Sequence, residues 1–134
     1  DHLIDPVSVR AAITRKPRGI MPVQLNGRTA DMQAICAIAA EHQLFIVEDS
    51  CQALGSKFQG RCAGTFGLAG SISFYPSKTL GCFGDGGAVL TNDDDVAGQV
   101  RSLRDHRSGP IGPFRVPAQQ VKQDVGVDQR CRQR

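Results

Sequence analysis

The strongest constraint on the fold is a change of hydrophobic period early in the chain. The segment Ile20–Leu25 is apolar and ends at Asn26-Gly27, and residues 31–42 then carry apolar side chains at helical spacing. Leu44–Val47 follows as an unbroken apolar run, which is typical of a parallel strand buried on both faces. Strand, helix and strand within about 30 residues predict one βαβ unit. We therefore expect an α/β fold with a mostly parallel sheet flanked by helices.

The sequence beyond this unit predicts two more strands and a helix. Ser71–Tyr75 is a third strand that ends at Pro76, and Ala88–Thr91 is a fourth. Because too few residues separate these strands for a helical crossover, the fourth is either antiparallel to its neighbour or reached through an irregular loop. The capping groups and negative charge of Asn92–Asp95 predict a helix that runs to about Arg104.

The charge of the chain is divided unevenly. Of the 16 basic residues, 8 lie after residue 100, together with only 3 of the 13 acidic residues. A nucleic-acid-binding surface belongs on the folded part, and this end offers one aromatic side chain, Phe114, for base stacking. We therefore expect no nucleic acid partner, and we interpret residues 108–134 as an irregular basic tail.

The composition also narrows the class of protein. No apolar run reaches the roughly 20 residues that cross a bilayer, so no membrane partner is expected. The five cysteines are odd in number and never spaced as C-x-x-C, which supports neither a disulfide framework nor a metal site. Reduced thiols are typical of a cytoplasmic protein. No signal peptide is visible, but the chain begins without Met, and we expect it to be a piece of a longer protein.

Nine of the fifteen glycines fall between Gly55 and Gly87, which predicts a backbone that something approaches closely. Lys78 lies among them, but the phosphate-binding spacing G-x-x-x-x-G-K-[ST] is absent, since Ser73 stands five positions earlier. The competing interpretations are a lysine that attacks a carbonyl and a solvated surface lysine. Asp49 follows the buried strand, where ligands of α/β sheets bind. Alternatively, Glu48 and Asp49 merely turn the chain into solvent.

A set of motif positions keeps its order and spacing through the runs Val47–Gly55, Gly60-Arg61, Gly64–Gly67, Ser73–Lys78 and Gly84–Ala88. In these runs the chain resembles the DegT/DnrJ/EryC1/StrS family of aminotransferases, which have fold type I and depend on pyridoxal phosphate (PLP). The resemblance covers about residues 10–107, and it implies that residues 1–107 are the later half of a PLP-binding large domain.

The resemblance implies roles for four residues. Lys78 is the catalytic residue, which bonds to PLP and then moves a proton between the amino donor and the cofactor. Asp49 pairs with the pyridine nitrogen, which keeps the ring protonated and able to accept electrons. Gln52 lies near the 3-hydroxyl of the ring, and Ser73 donates to the cofactor phosphate.

The implied function is transfer of an amino group, from glutamate, to a nucleotide-linked keto sugar by a homodimeric enzyme, for cell-surface polysaccharide or antibiotic sugar biosynthesis. Lys78 favours transamination, because relatives that dehydrate 3-hydroxyl sugars carry His at this position. The alternative is a catalytically inactive truncated fragment or a non-catalytic binding module of the same fold. For the 134 residues alone we expect weak PLP binding and no turnover.

The chain departs from the family pattern at two positions. Gln24 stands where many members have His. Asp128 stands where members have an Asn that reaches the cofactor phosphate of the partner subunit, and a negative charge is unsuited to that contact, so Asp128 is not predicted as a site residue. After Arg130 no apolar helix follows, so either the resemblance fades there or the tail is not native.

Overall fold

The computed structural model describes residues 2–14 and 17–104, so the predicted tail at 108–134 and Asp128 lie outside the described residues. Over the described ranges the chain is α/β, as predicted. Its helices are α1 (Pro6–Ala12), α2 (Met32–Glu41) and α3 (Asp94–Arg104), and its strands are β1 (Gly19–Ile20), β2 (Phe45–Asp49), β3 (Lys57–Phe58), β4 (Arg61–Cys62), β5 (Ala69–Ser73) and β6 (Gly87–Leu90).

Four strands form one sheet in the order β1-β2-β5-β6. The pairs β1–β2 and β2–β5 are parallel, whereas β5–β6 is antiparallel with Ser73 opposite Gly87. The antiparallel alternative for the fourth predicted strand is thus confirmed. Because β2 and β5 are parallel neighbours, their last residues, Asp49 and Ser73, emerge at the same edge of the sheet.

The core lies between α1, α2 and the sheet. Helix α2 begins where Asp31 caps it, with the carboxylate accepting from the amide of Ala34 at 3.0 Å. The apolar stripe of α2 is buried, and it includes Met32 and Ile35, which have no exposed surface. These side chains pack with Ile20 and Ile46 of the sheet, so the predicted βαβ unit supplies most of the buried apolar surface.

Two elements differ from the sequence expectation. The predicted strand Ile20–Leu25 is regular only at its start, because Pro22 has no N–H to donate to a ladder; pairing resumes as a single parallel bridge between Val23 and Asp49. Helix α1 was not predicted, although Asp5 caps it through the amide of Ser8 at 2.9 Å and Pro6 occupies its first turn.

The strands β3 and β4 form a separate hairpin that was also not predicted. Its turn residues Gln59 and Gly60 both have positive φ, at 50° and 82°, as a tight two-residue turn requires. Across residues 2–14 and 17–104, the helices fall short of the length and apolar character that crossing a membrane requires.

Candidate active site

Three of the four predicted site residues lie around one edge of the main sheet. Asp49 is the last residue of β2, Ser73 is the last residue of β5, and Lys78 follows in the connection to β6. Both Asp49 and Lys78 lie within electrostatic range of the Cys51 thiol, which places the carboxylate and the amine on the same side of the molecule. The topology thus brings together the groups that the sequence separates by up to 29 positions.

The backbone of Asp49 is fixed by the segment that follows β1. Its amide donates to the carbonyl of Pro22 at 3.0 Å, and its carbonyl accepts from the amide of Gln24 at 2.8 Å. The carboxylate is half-buried and accepts from the amide of Cys51 at 3.1 Å. One carboxylate oxygen therefore orients the side chain while the group keeps further acceptor capacity.

Cys51 lies beside this carboxylate and is also half-buried. Burial raises the pKa of the Cys51 thiol, and the neighbouring Asp49 carboxylate raises it further, whereas the contact of Sγ with the Ser71 hydroxyl at 3.4 Å lowers it. The Lys78 amine also lowers it, and the net effect is a raised pKa, which disfavours the thiolate form beside Asp49.

Lys78 lies in a loop of residues Phe74–Gly86, here termed the lysine loop, that joins β5 to β6. Backbone hydrogen bonds close this loop near its base: the amide of Phe74 donates to the carbonyl of Gly86, and the amide of Cys82 donates to the carbonyl of Phe74, both at 2.8 Å. The lysine loop therefore leaves and rejoins the sheet at the same edge, and it is not an extended crossover.

Within the lysine loop, Lys78 is half-buried although most of its neighbours are exposed. Its amide donates to the carbonyl of Tyr75 at 2.8 Å, which forms a turn directly after the strand. A Cβ atom on Gly81 would lie 2.6 Å from the carbonyl oxygen of Pro76, so only glycine allows this return of the chain. Glycine thus lets the backbone fold back closely behind the lysine.

Ser73 and Gln52 differ in how firmly the structure holds them. The Ser73 hydroxyl accepts from the amide of Tyr75 at 3.3 Å, which leaves its own hydrogen to be donated. Gln52 lies in the turn after β2, where its carbonyl accepts from the amide of Gly27 at 2.8 Å, and its side chain is exposed. The structure fixes the backbone of Gln52 near the same edge and leaves its amide in solvent.

A residue without a predicted role, Glu48, is the most tightly held polar group beside the site. Its side chain is 0% exposed. Oε2 accepts from the amide of Gly64 at 2.8 Å and from Nε2 of Gln24 at 3.1 Å. Oε1 accepts from the amides of Phe66 at 2.5 Å and Gly67 at 3.0 Å. The interpretation that this position turns the chain into solvent is therefore wrong for Glu48.

The loop that Glu48 binds, residues Ala63–Leu68, leads directly into β5 and is here termed the anchored loop. The amide of Leu68 donates to the carbonyl of Ile46 at 2.8 Å, so backbone and side-chain bonds join the anchored loop to β2. A two-residue period along β2 could have signalled the burial of Glu48, since it falls on the same face as Ile46.

Gln24 is also 0% exposed, and both ends of its amide are used. Its Oε1 accepts from the amide of Ala30 at 2.8 Å, while Nε2 donates to Glu48 and lies 3.2 Å from Sδ of Met32. The departure from the family pattern at this position therefore belongs to a satisfied buried network behind the site.

The family model of the DegT/DnrJ/EryC1/StrS aminotransferase family matches residues 1–130. The chain is 50% identical over 107 residues to a "Pleiotropic regulatory protein" of Geobacillus stearothermophilus, covering 80% of this chain and 29% of that protein. It is 48% identical over 109 residues to the dTDP-3-amino-3,4,6-trideoxy-alpha-D-glucose transaminase of Streptomyces venezuelae, covering 81% and 29%.

Solved structures give the same result for the fold. The crystal structure of S. venezuelae DesV in complex with a ketimine intermediate superposes with a TM-score of 0.73 at 48% identity, covering 77% of this chain and 28% of that one. The E. coli GDP-4-keto-6-deoxy-D-mannose-3-dehydratase with bound hydrated PLP superposes with a TM-score of 0.73 at 31% identity, covering 78% and 26%. The chain spans less than a third of these relatives, and it belongs to the DegT/DnrJ/EryC1/StrS aminotransferase family.

Proposed function

We propose that this chain supplies the lysine and carboxylate side of the PLP site in an enzyme that transfers an amino group, from glutamate, to a nucleotide-linked keto sugar. The observation that carries the proposal is the convergence of Asp49, Ser73 and Lys78 at the carboxyl edge of β2 and β5. The relative named as a dTDP-sugar transaminase and the relative solved with bound hydrated PLP support it.

The chemistry of these three side chains suits PLP. A carboxylate accepts a hydrogen bond from a protonated ring nitrogen, a serine hydroxyl donates to a phosphate oxygen, and a primary amine condenses with an aldehyde carbon with release of water. Asp49, Ser73 and Lys78 are these groups in that order. Their spread over two adjacent strand ends and one loop matches a small ligand that must be held at several points.

Each side chain then has a distinct task. When bound, PLP supplies an electron sink for the carbanion that forms at the α-carbon of the amino donor. Asp49 keeps the ring nitrogen protonated, which is the condition for that sink. Lys78 would hold the cofactor through Nζ and, with its amine free, would take a proton from the α-carbon of the amino donor and deliver it to the cofactor. Ser73 orients the phosphate end.

Gln52 and the larger assembly complete the proposal. Gln52 lies three residues after Asp49, in the turn at the same edge. This position supports a contact of its exposed side-chain amide with the ring hydroxyl. We propose that residues 1–107 are the later half of the PLP-binding large domain and that a second copy of the protein completes the site as a homodimer. Free thiols at Cys36, Cys51 and Cys82 support a cytoplasmic enzyme.

The test is a spectrum of the complete protein that contains this chain. Mixed with PLP, it is expected to show a visible absorbance band, and Lys78→Ala is expected to remove the band. The exposed Lys57 of β3 offers a matched control, since Lys57→Ala removes a lysine of the separate hairpin and not of the main sheet edge. A band that survives Lys78→Ala, or that disappears equally in Lys57→Ala, contradicts the proposal.

The substrate class is tested by turnover. With L-glutamate and a dTDP- or UDP-linked 3-keto or 4-keto sugar, formation of 2-oxoglutarate is expected, and Lys78→Ala is expected to lower its rate by at least about 10³-fold. If the complete protein binds PLP through Lys78 but transfers nitrogen to keto acids and not to nucleotide sugars, the cofactor assignment stands and the sugar assignment fails.

A further inference from the structure

We propose that Glu48 is a positioning residue for Asp49. The buried Glu48 carboxylate, clamped between the anchored loop and Gln24, fixes the end of β2 at which the Asp49 carboxylate meets the cofactor. The inference rests on the proposed function and names a further residue on which that site depends.

The environment of Glu48 is unusual for a charged group. Within the described part of the chain, its four hydrogen-bond donors are neutral N–H groups, three from the backbone of the anchored loop and one from Gln24. Four donors satisfy the acceptor capacity of a carboxylate, and without them burial of the charge would be strongly unfavourable. An apolar side chain in the same space would leave three backbone amides and the Gln24 amide without an acceptor, so the carboxylate holds these groups in a defined geometry.

Glu48 and Asp49 are coupled because they are consecutive residues of one strand. Their side chains point to opposite faces of the sheet, so a clamp on Glu48 fixes the rotation of the strand that aims Asp49. Gln24 strengthens this coupling, since its side chain donates to Glu48 while its backbone amide donates to the carbonyl of Asp49. A shift of the Glu48 side chain therefore displaces both Gln24 and the backbone of Asp49.

The same carboxylate also links the two strands of the site. The anchored loop that it binds continues directly into β5, which ends at Ser73. Removing the clamp frees the start of β5 as well as the end of β2. The spacing between the carboxylate at Asp49 and the hydroxyl at Ser73 thus depends on Glu48, although Glu48 itself lies on the opposite face from the Asp49 side chain.

The test is Glu48→Gln in the complete protein that contains this chain. Glutamine keeps the shape, but it replaces one acceptor oxygen by an NH₂ group that faces N–H donors. The dissociation constant for PLP is expected to rise by about tenfold or more, because hydrogen bonds to a buried charge are lost. The pH midpoint of the colour change of the bound cofactor is expected to move in the same direction as in Asp49→Asn.

Two further variants serve as a control and as a partial rescue. Glu41→Gln makes the same chemical exchange at an exposed ion pair with Arg10 and is expected to leave both readouts unchanged. Glu48→Asp keeps the charge on a shorter arm and is expected to recover part of the PLP affinity and of the pH midpoint. If Glu48→Gln does not fold, Gln24→Leu, which removes one donor, is measured by the same two readouts.

The outcomes separate this inference from the proposed function. A folded Glu48→Gln or Gln24→Leu protein that is merely less heat-stable, with unchanged PLP affinity and pH midpoint, overturns the positioning role and leaves the lysine site intact. A parent protein that forms no Lys78-dependent band defeats the proposed function, and the inference about Glu48 fails with it.

Discussion

The anchored loop and the lysine loop are both rich in glycine, yet one is packed into the molecule and the other lies on its surface. In the anchored loop, a Cβ on Gly67 would lie 2.3 Å from the carbonyl oxygen of Ile46, and the amide of Gly67 is bound by Glu48. In the lysine loop, every residue from Gly81 to Gly86 is exposed. Glycine density therefore marks two different situations in one chain.

The difference lies in what approaches the backbone. In the anchored loop the approaching groups are the neighbouring strand and a buried side chain, so the close approach predicted from the sequence is met by the protein itself. In the lysine loop, backbone hydrogen bonds close the base and leave one side open to solvent. The anchored loop thus holds the strand ends in place, while the lysine loop beside it stays open to solvent. A cofactor site needs both properties.

The largest expected effect is on the rate of transamination, and it concerns the solvent-open sheet edge at Asp49. Asp49→Asn keeps the size of the side chain and its contact with the Cys51 amide but removes the charge, so transamination is expected to fall by about 10²- to 10³-fold. Asp85→Asn, at an exposed turn of the lysine loop, is the matched control and is expected to retain the parent rate. Steady-state turnover decides, and equal loss in both variants would assign the effect to net charge.

The next largest expected effect is on stability, and it concerns the packing of the anchored loop against β2. Gly67→Ala forces a methyl group against the backbone of β2 and is expected to lower the free energy of unfolding by about 2–3 kcal/mol. In Gly86→Ala the tight contact is with Sγ of the exposed Cys82, which can rotate away, while Cβ of Phe74 lies at an ordinary 3.5 Å; stability is expected to change by less than about 1 kcal/mol. Urea unfolding followed by circular dichroism measures both, and similar losses would remove the distinction between the loops.

Thiol reactivity sharpens the comparison further. Burial raises the pKa of Cys36 and of Cys51, whereas Cys82 in the lysine loop is exposed. A raised pKa leaves less thiolate at a fixed pH, so near pH 7.5 Cys36 and Cys51 are expected to react with a maleimide about tenfold more slowly than Cys82. Single Cys→Ser variants assign the rates by mass spectrometry, and early labelling of Cys51 would show that its side of the sheet is open.

The smallest effect comes from a glycine that nothing approaches. Gly98 lies within α3, and a Cβ placed there would have no heavy atom within 4 Å. Gly98→Ala is expected to stabilise the helix by about 0.5–1 kcal/mol, because alanine loses less backbone entropy. A raised midpoint in thermal unfolding is the expected sign, and destabilisation would indicate that α3 packs against another surface in the complete protein.

Local patterns predicted the elements whose causes are local. The apolar spacing that predicts a helix at 31–42 yields Met32–Glu41, and the apolar run Leu44–Val47 lies within the strand that ends at Asp49, apart from its first residue. Helix α1 carries a local signal too, an Asp-Pro start, and was missed because its apolar spacing is short.

The elements that depend on distant partners could not be predicted in the same way. The role of Glu48 comes from backbone amides at 64, 66 and 67, which carry no side-chain signature in the sequence. The placement of Lys78, Asp49 and Ser73 at one edge was expected from strand order and from the family resemblance. Their contacts with a cofactor stay a prediction, which the spectra proposed above would test.

The antiparallel pairing of β5 with β6 affects how the protein is made. The parallel pairs β1–β2 and β2–β5 form only after the whole segment that connects their strands has been made, whereas β5 and β6 are joined only by the lysine loop. Shorter connections close faster, and a nascent chain emerges from its amino terminus onwards. We therefore expect the hairpin that carries Lys78 to close on the ribosome soon after Leu90 emerges, onto a β2 strand that is already available.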